Sequence, residues 1–387
     1  MSEQVFRHPS TVSDWDDANR IARLRETRFG RQWRTLGRSR RVLIRVLLVV
    51  LGFAAAFAQY WNVDVLPERD RLALTRPEVY EVFDSADPDK RDTAVVDLVG
   101  LGSLDAGPTA AALPSLAAIG RVWVVKYDNG GIDTQVISRI VAERADQEGV
   151  DNLFVAGHSM GGVVALEVAE HIHQETDINL IGVLLDCTPV SLHAVRSDKR
   201  DTGENMLRWM GWVPGARESR SLRFLVEMGA RRDRFWDLYS PGWKADPVEF
   251  VDAVAEVLHD KLLSGNAASN GLIEAQFKVI VASGAVDNLE ALAEPHEDKR
   301  RPMIVYLRPR RALDDDVVDV EYTEGVLTEE TAGPQGLLLV VRMRNTGHAN
   351  PIQRSLDYNA AIADNVAPFL LRIDDTGGRQ DSAQSGP

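Results

Sequence analysis

Hydrophobic and polar positions fall into three regimes along the chain. Residues 42–58 (VLIRVLLVVLGFAAAFA) form a continuous apolar run with Arg45 as its only charge. That is close to the length of a membrane-spanning helix, and Gln59, Tyr60 and Trp61 extend it with interfacial aromatics. From residue 93 onward, short apolar runs alternate with segments of helical period. The runs at 93–100 (TAVVDLVG), 121–127 (RVWVVKY), 152–158 (NLFVAGH), 180–186, 303–307 (MIVYL) and 336–342 (GLLLVVR) read as buried strands. Helices are expected at 108–119, 133–147 (apolar Val136, Ile137, Ile140 and Val141), 160–174 and 355–371 (Leu356, Ile362, Val366 and Phe369 inward). Alternation of this kind specifies an α/β fold, a mostly parallel sheet covered by helices on both faces.

The third regime interrupts the second. Residues 188–300 hold helical stretches, Trp209, Trp212, Trp236 and Trp243, and no convincing strand. A segment this long is not an ordinary connection and reads as a helical cap inserted into the sheet domain. The expected organisation is an arginine-rich leader at 1–41, a transmembrane anchor or signal core at 42–61 and a linker at 62–92 with one short element near 79–83. The α/β core takes 93–189 and 301–372, the cap 190–300, and a polar, disordered tail 373–387.

Charge sharpens the first regime. The net charge of −14 argues against nucleic acid as a partner. The average hides eleven arginines against five acids in residues 1–45, ahead of a strongly acidic body. A basic flank before an apolar run holds the amino end in the cytoplasm and places the body on the extracytoplasmic side. Ser39-Arg40-Arg41-Val42-Leu43-Ile44-Arg45 resembles the twin-arginine export signal, and cleavage after Ala58 is the alternative to a retained anchor. With Cys187 as the single cysteine, a disulfide framework or cysteine-rich metal site is excluded.

The chemistry centres on residues 157–162, Gly-His-Ser-Met-Gly-Gly, at the end of a strand and the start of a helix. Gly-x-Ser-x-Gly in that context is a nucleophile elbow, with Ser159 on a strained turn. His158 adjoins it but must point away. His171 and His173, two apart on a helix, cannot share a face, so no metal pair is expected.

The chain resembles the α/β-hydrolase superfamily over about residues 93–371. The resemblance rests on the elbow, the break for a cap after the next strand, an acid-bearing loop after the penultimate strand, and Gly347-His348 after the last. It implies a serine hydrolase acting on a small-molecule or lipid ester, with no metal or organic cofactor. Ser159 is the nucleophile it implies and His348 the base. In the run Asp314-Asp315-Asp316, Asp315 fits the family's Asp-x-Val-Val habit, with Asp316 close behind and Asp186 as a rival from an earlier strand. The oxyanion hole implied uses the backbone N–H groups of Met160 and Leu101. Thioesterase, acyltransferase and proline-type peptidase activities fit the same residues, as does a non-catalytic binding protein that keeps the fold.

Overall fold

The computed structural model describes residues 21, 23–24, 27–237, 244–294, 299–331 and 337–371. The expected tail, most of the leader and Trp243 lie outside them. The chain divides into two compact units, Met1–Val63 and Asp64–Pro387.

In the first unit the helix Arg28–Thr35 is capped by Thr27, whose hydroxyl accepts the Gly30 N–H at 3.0 Å. The helix Arg38–Tyr60 follows, with no buried side chain. It is long and apolar enough to cross a membrane. Twenty-three residues rise about 34 Å, slightly more than a hydrocarbon core of about 30 Å.

The second unit is built on a sheet. Its strands, with two short ones outside the sheet, are β1 (Glu78–Phe83), β2 (Thr93–Leu98), β3 (Arg121–Lys126), β4 (Asn152–His158), β5 (Asn179–Asp186), β6 (Trp236–Asp237), β7 (Lys244–Ala245), β8 (Met303–Pro309) and β9 (Leu338–Met343). Seven of them run in the order β1-β3-β2-β4-β5-β8-β9. All neighbours are parallel except β1, which pairs antiparallel with β3. Every residue of β8, and all but the first of β2 and of β4, is buried, as a sheet sandwiched between helix layers requires.

Local chemistry sets the helices. Thr134–Glu148 begins where the Asp133 carboxylate accepts the Val136 N–H at 3.0 Å and ends at Gly149, whose φ of 65° suits a glycine. Of its expected apolar positions Ile137 and Val141 are buried, together with Ala145, whereas Val136 and Ile140 are half-buried. The helix expected at 108–119 is instead two pieces, Gly107–Ala111 and a 3₁₀ turn at Pro114–Ala118. Pro114 forces the break, because it lacks an N–H and drives Leu113 out of helical geometry.

Two boundaries differ from expectation. Much of 62–92 is not a linker: it contains the helix Leu66–Leu72 and β1, an edge strand of the sheet. β1 is the short element expected near 79–83, and its place at the edge of the sheet is what the sequence does not announce. Glu81 pairs with Arg121 at 2.7 Å, and charge on an outer strand discourages edge-to-edge pairing. The cap is also smaller than 190–300. The helices Asn270–Val281 and Ala285–Ala293 bury Leu272, Phe277, Leu289 and Leu292 in the main core, so they belong to the layer covering the sheet. The cap's own small core is Met228, Phe235, Ala253 and Val257, from Arg220–Ala230, Arg232–Phe235 and the segment running from Pro247 to Leu263. Within it β6 and β7 form a two-residue antiparallel pair that the sequence pattern does not announce.

Candidate active site

The site lies at the carboxyl edge of the sheet, where parallel strands deliver their loops side by side. His158 at the end of β4 is in register with Asp186 at the end of β5, and Asp186 with Leu307 of β8. Ser159 follows β4 at φ 53°, ψ −124°, outside the regions an L-residue prefers, and its N–H is held by the Asp186 carbonyl at 2.7 Å. Close packing explains the neighbouring glycine. A Cβ on Gly161 would stand 2.5 Å from the Leu98 carbonyl oxygen, so helix and sheet meet here only without a side chain.

Three side chains form a line of hydrogen bonds. Ser159 Oγ is 2.8 Å from His348 Nε2, and His348 Nδ1 is 3.0 Å from Asp315 Oδ2. Asp315 is fully buried, and its Oδ1 accepts the Val317 and Val318 N–H groups at 2.9 and 2.8 Å. Burial alone would raise its carboxyl. The His348 hydrogen bond and charge, with the two amides, outweigh that and hold it below the usual carboxylate range. An acceptor facing Nδ1 puts the imidazole proton there and leaves Nε2 free to accept from the serine.

The other acids go elsewhere. Asp316 is exposed and lies 3.6 Å from Lys199, so the structure does not bring it to His348. Asp314 pairs with Arg311 at 2.6 Å. Asp186 faces away from the serine, toward a second buried group. His158 Nδ1 lies 2.8 Å from Asp186 Oδ2, and its Nε2 lies 3.0 Å from Asp97 Oδ1 at an angle short of a hydrogen bond. Desolvation works against a charged imidazole, but Asp97 and Asp186 prevail and push it up to about 10. Tyr358 donates to Asp186 Oδ1 at 3.0 Å and accepts the Asn350 N–H at 3.2 Å, linking the elbow to the loop that carries His348. His171 lies near Thr134 and Glu175 whereas His173 is buried, so the two do not converge.

The oxyanion candidates are positioned by contacts that the sequence does not signal. Met160 opens the helix Met160–Glu175, where a first-turn N–H has no intrahelical acceptor. The loop bearing Leu101 is clamped by the buried Gln276 carboxamide, which accepts the Gly102 N–H at 2.8 Å and donates to the Ser103 carbonyl at 2.8 Å. Tyr127 holds the same loop by donating to the Val99 carbonyl at 2.9 Å. Gln276 and Tyr358 are thus site residues missed in the chain, since a lone Gln or Tyr within a helix carries no motif. A cavity of about 430 Å³ opens over Ser159 and His348, bordered by Leu101, Phe277, Ile280, Val317 and Ile352. Trp209 and Trp212, expected in a lid over the site, are exposed and do not line it.

Cys187, Asp315 and His348 bring ligand-type atoms within 4.8 Å of one another. Asp315 and His348 already bind each other, and burial with two nearby carboxylates holds the Cys187 thiol well above its ordinary range. The first feature engages two of the three ligand atoms, and the second opposes the thiolate that a metal requires.

The sequence profile of the alpha/beta hydrolase family matches residues 47–364. The chain belongs to that family. No curated protein sequence matches it. Among solved structures it is similar to a proline iminopeptidase of Mycobacterium smegmatis, at 13% identity and a TM-score of 0.43, over 78% of this chain and 98% of that one. It is also similar to a monoacylglycerol lipase of Paleococcus ferrophilus, at 15% and 0.45, over 76% and 99%. A structure reported in work on carboxylesterases of Nitrososphaera gargenis matches at 12% and 0.46, over 76% and 96%.

Proposed function

We propose that this protein is a serine hydrolase cleaving carboxylic esters through an acyl-enzyme on Ser159. The helix Arg38–Tyr60 anchors its body at the extracytoplasmic face of a membrane. The observation that carries the catalytic reading is the unbroken line from Ser159 Oγ through His348 to Asp315.

In this reading His348 Nε2 takes the serine proton as Oγ attacks the acyl carbonyl. The Met160 and Leu101 N–H groups receive the developing oxyanion. His348 then returns the proton to the leaving alcohol, and later activates the water that frees the acyl group. Asp315 stays ionised and steadies the imidazolium. The apolar border of the cavity favours an aliphatic or aromatic acyl group over a charged one.

The test is a panel of p-nitrophenyl esters of increasing acyl length, run beside thioester and peptide analogues with the full-length protein in detergent. The proposal expects a burst of nitrophenol equal to the enzyme concentration and ester turnover well above the others. Turnover confined to peptides or thioesters would overturn the ester assignment.

A further inference from the structure

Two helices build one wall of the cavity over Ser159. Asn270–Val281 supplies Phe277 and Ile280, which stand one turn apart. Ser197–Trp212 supplies Lys199. The amino end of Ser197–Trp212 is tied to the loop that carries Asp315. The Arg196 guanidinium donates to the Asp315 and Ala312 carbonyls at 2.8 and 2.9 Å, and the Arg196 N–H to the Val317 carbonyl at 2.9 Å. Phe277 borders the cavity but is only 3% exposed, so most of its ring is held by protein.

The holding contact is a glycine. Gly203 lies buried inside Ser197–Trp212, one turn beyond Lys199. Its helical backbone would accept alanine, which is the better helix former. What excludes a side chain is Phe277: a Cβ at Gly203 would stand 2.0 Å from Phe277 Cε2 and 2.1 Å from Cζ. Gly211, two turns further along the same helix, has nothing within 4 Å of that position. The ring is the far end of a side chain with two torsions, so it is the part that would yield. The free volume that it borders is the cavity.

The reaction proposed above divides that cavity. His348 gives a proton to the leaving alcohol, which therefore lies toward the loop of His348, where Ala349, Pro351, Ile352 and Gln353 form the border. Gln276, from the helix that bears Phe277, holds the Leu101 loop on the oxyanion side. The wall left for the acyl chain is that of Phe277 and Ile280. We propose that Phe277, backed by Gly203, sets the length of acyl chain that the cavity takes. This rests on the serine-esterase reading above and deepens it, the substrate being an ester whose aliphatic acyl chain lies along Phe277 and Ile280.

The test compares full-length wild type with Gly203→Ala, Phe277→Leu, their double variant and Gly211→Ala, all at one detergent concentration so that ester partition cancels between variants. The readout is kcat/KM for p-nitrophenyl octanoate divided by that for p-nitrophenyl butyrate. Phe277→Leu opens the wall and should raise this ratio at least about 10-fold. Gly203→Ala pushes the ring into the cavity and should lower it at least about 10-fold, whereas Gly211→Ala should leave it within about two-fold. In the double variant the ring is gone, so the ratio should match that of Phe277→Leu, a coupling that general loosening of the fold would not give. Ile280→Phe thickens the same wall and should lower the ratio even where Gly203→Ala does not fold. Ratios unmoved in the single variants overturn the proposal. So do shifts of Gly203→Ala and Phe277→Leu in one direction, or a shift in Gly211→Ala equal to that in Gly203→Ala. The same chains carrying Ser159→Ala are titrated with 2-hexanone and 2-decanone, whose binding needs no turnover. A wild type that cleaves no ester sinks the esterase reading alone. The wall is then decided by the ratio of the two Kd values: opposite shifts in Gly203→Ala and Phe277→Leu support it, and an unmoved ratio overturns it.

Discussion

Asp315 divides its carboxylate between backbone and imidazole: Oδ1 takes the amides of Val317 and Val318, and Oδ2 lies 3.0 Å from His348 Nδ1. The backbone contacts fix the direction in which Oδ2 points, and so fix the imidazole. Asp315→Asn is expected to lower kcat by about 10³–10⁴-fold, because an amide turns the imidazole toward the wrong tautomer. Asp316→Asn should leave kcat within about two-fold, since an exposed ion pair contributes little. Steady-state kinetics on one ester for both variants makes the check. Equal losses would return the acid to the whole run.

Gln276 reaches the Leu101 loop from a helix more than 170 residues away and bonds to it on both sides. Removing the clamp would loosen the proposed oxyanion donor without touching Ser159, the proposed nucleophile. Gln276→Leu is expected to cost at least about 10-fold in kcat, below the 10²–10³ of losing a donor outright. KM should stay near wild type. A rise in KM with kcat unchanged would assign the residue to substrate binding.

His158 makes stability fall on the alkaline side. Its folded pKa, pushed up to about 10, stands above the ordinary 6.5 of an unfolded chain. The stabilisation from its charge is therefore complete below pH 6.5 and is lost as pH rises toward 10. The slope for one such group is at most about 1.4 kcal/mol per pH unit. Thermal melts from pH 6.5 to 10 should show the midpoint dropping. His158→Gln should start lower, by about 3–5 kcal/mol for two buried carboxylates without their cation, and should lack that part of the drop. A variant as stable as wild type at pH 7 would contradict the imidazolium.

Gly161 marks the closest approach of helix and sheet. Gly161→Ala places a methyl against the Leu98 and Val99 carbonyls, at 2.5 and 2.6 Å, and backbone cannot yield as a side chain can. A loss of about 1–3 kcal/mol is expected in urea unfolding. Gly229→Ala, with open space around it, should be neutral or better in the same experiment.

The alternation of buried runs and helical segments made the sheet legible, and Gly157 to Gly162 made the elbow legible, because both are local patterns. Asp315 could be placed on a shortlist only, since three adjacent aspartates look alike until the chain turns and buries one of them. Asp186 was a fair rival by position, but the structure gives it to His158 and Tyr358. The short element expected near 79–83 is strand β1, but no local pattern showed that it joins the sheet. The cap boundary hid because Asn270–Val281, which buries Phe277 in the core, has the same period as helices that do not. Gln276 and Tyr358 act through contacts closed by long loops, which no local spacing records.

The central claim is that His348 activates Ser159 as a nucleophile. Fluorophosphonate labelling of the full-length protein, read by mass spectrometry of the peptide containing Ser159, tests it most directly. One adduct per chain is expected on Ser159, absent in Ser159→Ala and strongly reduced in His348→Ala. A folded wild-type protein that takes no label, or takes it at another residue, would contradict it.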